Sequence, residues 1–261
     1  MEHRSSSATL FLGKDSWIHR LHPFTKLFCI LLTGVAVYSG VFDWRIILLL
    51  LVINTFLITS SLLLKEIFQT LWKIMVPLSL FMIPIHTFLY PGNKTVLYSV
   101  ANISAYQEGL LFAVSTLLKL TVVVQSSLLF VFSTHPADLI TAISQTGNSP
   151  SLAYLLGSPL LLLAGMRERI GIIQAAQQAR GLHTGGNIFQ RIFSVPPLIL
   201  PLVTGAIVEI EQRSIALEVR GFKSTSAKTS FRILTDSTGQ RIMRWAMVTG
   251  TCSLLLLRLF R

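Results

Sequence analysis

The sequence predicts an all-α integral membrane protein, with about five transmembrane helices and a cytoplasmic module of long helices between the fourth span and the last. Three observations carry that reading. Of 261 residues, 52% are hydrophobic and only 13% charged, where a soluble domain carries about 25% charged residues; the mean hydropathy is +0.65. The apolar residues fall in runs of roughly 16–24, lengths at which a helix crosses a bilayer. Between residues 135 and 241, by contrast, ten arginines and lysines stand against six acids. The positive-inside rule places such a surplus on the cytoplasmic side.

The chain begins polar. Residues 1–26 hold Arg4, Lys14, Arg20 and Lys26 against Glu2 and Asp15, which puts the N-terminus in the cytoplasm. No small-residue cleavage site follows the first apolar run, so that run reads as a retained span. His22-Pro23-Phe24-Thr25-Lys26-Leu27 leads into it, with Pro23 suited to a first helical turn and Lys26 to the interface. The first span is Leu27 to Phe42; Asp43-Trp44-Arg45 is a short turn, and Ile46 to Leu64 crosses back. Lys65, Glu66 and Lys73 mark the cytoplasmic return. Ile74 to Tyr90 is the third span, kinked at Pro77 and Pro84. Residues 91–105 are a turn-rich outer loop, and Gly109 to Phe132 is the fourth span.

Lys119 sits near the middle of that fourth span, and an intramembrane charge is a functional candidate by default. The plainer reading is an inward-facing lysine that is paired, solvated or snorkelling. Asn54 and His86 are weighed in the same way, with less on the functional side.

After Ser133 the character changes. Thr134 is a candidate cap for a helix starting near Pro136, and Thr146-Gly147-Asn148-Ser149-Pro150 is a break. Ser151 to Ala164 is apolar but short for a span, and it continues unbroken to Arg180, giving one long helix along or leaving the cytoplasmic interface. Residues 183–191 are a glycine-rich connection. A second long helix runs from about Pro197 to Arg220. Residues 223–240 read as a basic, Ser/Thr-rich loop, and Ile242 to Leu257 is the last span, bracketed by Arg241, Arg244, Arg258 and Arg261. The chain thus divides into an N-terminal segment (1–26), N-terminal transmembrane helices (27–134), a cytoplasmic or interfacial module (135–241) and a C-terminal transmembrane helix (242–261). Parts of 138–164 or 192–208 are apolar enough to raise the span count.

Both long helices end alike. Ile172-Ile-Gln-Ala-Ala-Gln-Gln-Ala-Arg-Gly-Leu-His183 and Ile210-Glu-Gln-Arg-Ser-Ile-Ala-Leu-Glu-Val-Arg-Gly-Phe222 are helix-forming runs closed by one arginine and then glycine. Glycine stops a helix because it takes a left-handed conformation without a Cβ clash. Arg180 and Arg220 therefore sit at helix tips, where a cation also suits the negative end of the dipole. Capping alone accounts for either copy; two copies point to a repeated device.

The chemistry of an enzyme is not legible. No G-x-x-x-x-G-K-[ST] loop occurs, so the chain does not read as an ATPase. The six histidines are scattered, Cys29 and Cys252 lie in apolar runs without zinc or disulfide spacing, and there is no Gly-x-Ser-x-Gly elbow or magnesium-binding aspartate pair. No cofactor is called for. The net charge of +11 is spread among apolar runs and forms no stripe for nucleic acid.

At the two tips the chain resembles the transmembrane T component of energy-coupling factor transporters, ABC-type importers of vitamins and of cobalt or nickel ions. In that family two Ala-Arg-Gly motifs end the coupling helices; here they are Ala179-Arg180-Gly181 and Val219-Arg220-Gly221, with valine in place of the second alanine. His22-Pro23-Phe24-Thr25-Lys26-Leu27 resembles the family's lead into its first span, so the resemblance runs from about residue 20 to the end. It implies a non-catalytic scaffold in the plasma membrane that docks two ATP-binding cassette ATPases through Arg180 and Arg220 and holds a substrate-capturing membrane subunit. The competing readings are a membrane-embedded enzyme acting on lipid, with Lys119 and His86 in its site, and a self-contained carrier, whose internal repeats are not seen.

Overall fold

The computed structural model describes residues 10–39, 44–92, 94–100, 103–145, 150–182, 187–222, 224 and 234–260. Eight helices and one hairpin occupy them: α1 (Pro23–Tyr38), α2 (Trp44–Ser60), α3 (Leu64–Leu89), β1 (Val96–Val100), β2 (Ile103–Tyr106), α4 (Gln107–Ser133), α5 (Pro136–Gln145), α6 (Pro150–Ala179), α7 (Ile188–Val219) and α8 (Thr238–Leu259). They form two compact units, one of Thr9–Ala142 with Leu234–Arg261, the other within Ile143–Ile233.

In the first unit α4 is the central post, packed by α1, α2 and α3. Its buried face carries Gly109, Ala113, Val122 and Ser126, small residues at helical spacing that let neighbours approach closely. Val37 of α1, Ile47 of α2 and Val122 of α4 meet in one apolar cluster; Ile58, Leu63, Ile67 and Phe132 form another. The outward faces stay apolar, with Leu80 69% and Phe81 67% exposed on α3. Among the described residues α3, α4 and Ile192–Val219 of α7 are long and apolar enough to cross a membrane, while α1 and α2 are shorter apolar helices. The third of these places a bilayer-length stretch inside the module read from sequence as cytoplasmic or interfacial.

Several boundaries differ from the sequence reading. The third helix starts at Leu64, ten residues early, so Lys65, Glu66 and Lys73 are helical. Glu66 lies in the first turn, where a carboxylate suits the dipole, and its charge is met by Lys14 at 2.7 Å. The chain turns before it at Leu62, whose φ of 61° is left-handed. The outer loop holds an antiparallel hairpin, Val96 opposite Tyr106 and Val100 opposite Ile103. It is tied to α4 by Glu108, which accepts from the Thr95 hydroxyl at 2.6 Å. Thr134 does not cap α5; His135 Nδ1 accepts the Ala137 amide at 3.1 Å instead, and the Thr134 hydroxyl is buried without a partner. Trp44 and Arg45 belong to α2 rather than to a turn; Asp43, Thr146–Ser149, His183 and residues 225–233 lie outside the described residues.

The polar N-terminal stretch is built into the unit. The Leu12 amide donates to Phe132 O at 3.0 Å, and Lys26 Nζ donates to Ser133 O at 2.8 Å and His19 O at 3.3 Å. Helix α8 packs along α1. Arg244 fastens its start: the guanidinium forks onto Asp236 at 2.9 and 2.5 Å and donates to the Thr25 hydroxyl at 3.2 Å. Those contacts hold the Asp236 carboxyl below its ordinary pKa.

Candidate functional site

Helices α6 and α7 make up the second unit and pack on each other. Helix α6 is continuous over 30 residues despite Pro159, as the sequence led one to expect at its C-terminal end. Helix α7 starts at Ile188, nine residues before the expected start, and runs through Pro196, Pro197 and Pro201.

The two helix ends are the same structure twice. Gly181 has φ +91° and Gly221 φ +69°, the left-handed values at which any other residue is strained. At the first end the Leu182 amide donates to Gln177 O and the Gly181 amide to Gln178 O, both at 2.9 Å; at the second, Phe222 donates to Leu217 O and Gly221 to Glu218 O, again at 2.9 Å. This is the paired 6→1 and 5→2 pattern of the Schellman motif, which satisfies carbonyls a helix end leaves open. Arg180 and Arg220 each occupy the residue before the glycine, and Ala179, Arg180, Gly181, Val219, Arg220 and Gly221 are all exposed. Val219 is 83% exposed, so the valine does not pack behind the second tip within this chain.

Three contacts fix how the helices run. Tyr154 near the start of α6 packs on Phe222 just after α7, ring centroids 5.4 Å apart. Arg169 Nη2 pairs with Glu209 Oε2 at 2.7 Å, and Arg169 Nη1 donates to Gly205 O at 3.2 Å. As the α6 residue number rises, that of its α7 partner falls, so the helices are antiparallel. The two arginine tips therefore lie at opposite ends of the pair. Arg180 lies 11 residues beyond Arg169 and Arg220 lies 11 beyond Glu209, which at 1.5 Å per residue puts the tips about 33 Å apart along the axis.

Arg169, Glu209, Arg213 and Tyr154 were not picked out from sequence. The Glu209–Arg213 pair has i,i+4 spacing and was readable as a helix-face pair; its link to α6 was not.

The other candidates belong to the first unit. Lys119 is half-buried in α4 and makes no hydrogen bond or ion pair among the described residues. His86 is accounted for locally, by Met82 O of its own helix at 3.0 Å and by Phe112, stacked at 5.1 Å. Asn54 is buried and accepts from the Ser126 hydroxyl at 3.1 Å, joining α2 to α4. Lys119, His86 and Asn54 are thus not gathered into one polar site. Among the described residues no group of three His, Cys, Asp or Glu could hold a metal.

Residues 14–231 match the CbiQ family, described as "Cobalt transport protein". Curated relatives include three proteins named "Energy-coupling factor transporter transmembrane protein EcfT". That of Lacticaseibacillus paracasei is 28% identical over 95% of this chain and 98% of its own. That of Macrococcus caseolyticus is 25% identical over 95% and 96%, and that of Bacillus subtilis 24% identical over 87% and 89%.

Proposed function

The chain belongs to the CbiQ family of cobalt transport proteins, and from that premise we propose that it is the transmembrane scaffold of an energy-coupling factor importer. It is a multi-pass, non-catalytic subunit of the plasma membrane, with its N-terminus in the cytoplasm. Two ATP-binding cassette ATPases dock at Arg180 and Arg220, and a substrate-capturing membrane subunit rests on the apolar helices. Substrate choice, whether cobalt, nickel or a vitamin, belongs to that capturing subunit.

One observation carries the reading: two identical, exposed, arginine-bearing Schellman ends at opposite ends of one antiparallel pair. Arginine offers five donors in a rigid fork that pairs bidentately with carboxylates, which lysine cannot match. Two such forks about 33 Å apart by helix rise suit two equivalent acidic grooves on a two-fold partner. The capturing subunit has a fitting surface on α7, where Phe193 is 78% and Leu200 69% exposed; such large apolar residues in the open mark an interface or lipid.

The test is gentle purification of the tagged chain, followed by identification of its companions. Wild-type protein brings down nucleotide-binding subunits and one small membrane protein. Arg180→Glu or Arg220→Glu inserts normally but loses much of the nucleotide-binding subunits, and the double variant transports nothing. Full uptake by the double variant would sink the proposal.

A further inference from the structure

We infer that Arg169, Glu209 and Arg213 form the pivot of the two helices, positioning the arginine tips relative to each other; this rests on reading those tips as docking points. Glu209 is the hub. Its Oε2 receives Arg169 from α6 at 2.7 Å, its Oε1 pairs with Arg213 one turn along α7, and its side chain is 20% exposed. The second arm of the Arg169 guanidinium donates to Gly205 O at 3.2 Å. Arg169 thus grips one carboxylate and one main-chain carbonyl of α7 together, which resists both sliding and rotation of one helix on the other.

The placement argues for a pivot rather than a casual ion pair. Arg169 precedes Arg180 by 11 residues, and Glu209 precedes Arg220 by 11. In an antiparallel pair the node lies midway, with an arm of about 16 Å to each tip. Eleven residues are also close to three whole turns, so the node residue and its tip share nearly one face on each helix. Tilting at the node moves the two tips by equal and opposite amounts. The Tyr154–Phe222 contact and the other close approaches of α6 to α7 hold the helices together without the node. Its loss therefore loosens the crossing and does not separate the pair. Arg169 and Glu209 are positioning residues and touch neither ATP nor substrate.

The experiment measures the tips directly. Ala179→Cys and Val219→Cys, in a background of Cys29→Ser and Cys252→Ser, carry spin labels at two exposed positions, and the label separation is read in lipid nanodiscs. The distance distribution is narrow and centred between about 30 and 40 Å in the parent. It broadens about twofold in Arg169→Met and in Glu209→Gln, the loss expected when a partly buried ion pair is broken. In the assembled complex the same two variants, without labels, keep their ATPases, while uptake per ATP hydrolysed falls about threefold, a fold-change of ion-pair size. Arg169→Lys, which keeps the charge toward Glu209 but not the two-armed fork, stays closer to the parent width than Arg169→Met. An unchanged width in both single variants overturns the pivot, as does a width in Arg169→Lys as broad as in Arg169→Met. Loss of the docking reading looks different: wild-type protein without ATPases, whatever the width of the label distribution.

Discussion

Replacing Gly181 or Gly221 by alanine isolates the strain that shapes the tips. At Gly181 a new Cβ meets nothing within 4 Å, and at Gly221 its nearest neighbour is Ser224 Cβ at 3.9 Å. Sterics outside the backbone therefore contribute nothing, and the whole cost is conformational. A residue with a Cβ pays about 1–2 kcal/mol to hold a left-handed φ. Asparagine tolerates that region better than alanine. The amides that report the motif are Leu182 and Phe222, each held by a 2.9 Å bond to the carbonyl five residues back. With 1.4 kcal/mol equal to a factor of ten, alanine should speed their hydrogen exchange about five- to thirtyfold, and asparagine markedly less. The effect stays local: Gly181→Ala alters Leu182 and leaves Phe222 unchanged. Equal exchange in the glycine and alanine proteins would refute the argument, and so would asparagine as harmful as alanine. A helix that runs on past its stop also re-aims the preceding arginine, so the ATPase yield should fall at the altered tip.

Lys119→Met should leave uptake unchanged, measured against wild type at matched expression, because the lysine has no partner among the described residues to lose; abolished uptake would revive an active role for it. Lys26→Met strips the donor from Ser133 O and His19 O and should cost about 1–3 kcal/mol in detergent unfolding, the penalty for the buried Ser133 acceptor it orphans. Leu62→Gly should stabilise by roughly 1 kcal/mol in the same assay, because the left-handed φ of 61° is strained for leucine and its side chain is exposed. Acid should loosen the α1–α8 junction. Asp236 has its carboxyl lowered by the hydrogen bond from Arg244, so its contribution is full above the ordinary value of about 4 and is lost as pH falls further. Melting temperature should drop below that pH in wild type and show a smaller drop in Asp236→Asn.

What could be read from sequence was what lies near in the chain. The helix stops at Gly181 and Gly221 are decided by the absent Cβ, and they stand where the sequence put them. Helix starts were less legible because charge and proline were taken as breaks. Lys65 and Glu66 looked like a loop, yet they open α3, where Lys14, 52 residues earlier, supplies the partner. Pro197 was read as the start of the second long helix, but α7 runs through it from Ile188. The hairpin at 96–106 was hidden because its turn residues dominated the segment, and Thr134 lost its capping role to His135, a nitrogen acceptor one residue on. The pairing of Arg169 with Glu209 depends on which faces of α6 and α7 meet, which neither helix encodes alone.

The antiparallel register also changes where asymmetry between the tips arises. From sequence, Val219 in place of alanine was the difference between the two motifs. At 83% exposure Val219 buries little against the described residues, so its effect is expected at a partner's surface. Within the chain the difference lies one step past the glycine. Phe222 after the second tip is clamped against Tyr154 of α6, and Arg213, on the same helix, is drawn back to Glu209. The second tip is thereby tied to the start of the opposite helix, through an aromatic contact that itself follows the Schellman turn. Motion of one tip about the Arg169–Glu209 node must then be felt at the other through rigid helix rather than through loop. The tips are thus alike in their caps, differ in their neighbours, and share the one ion-paired node between them.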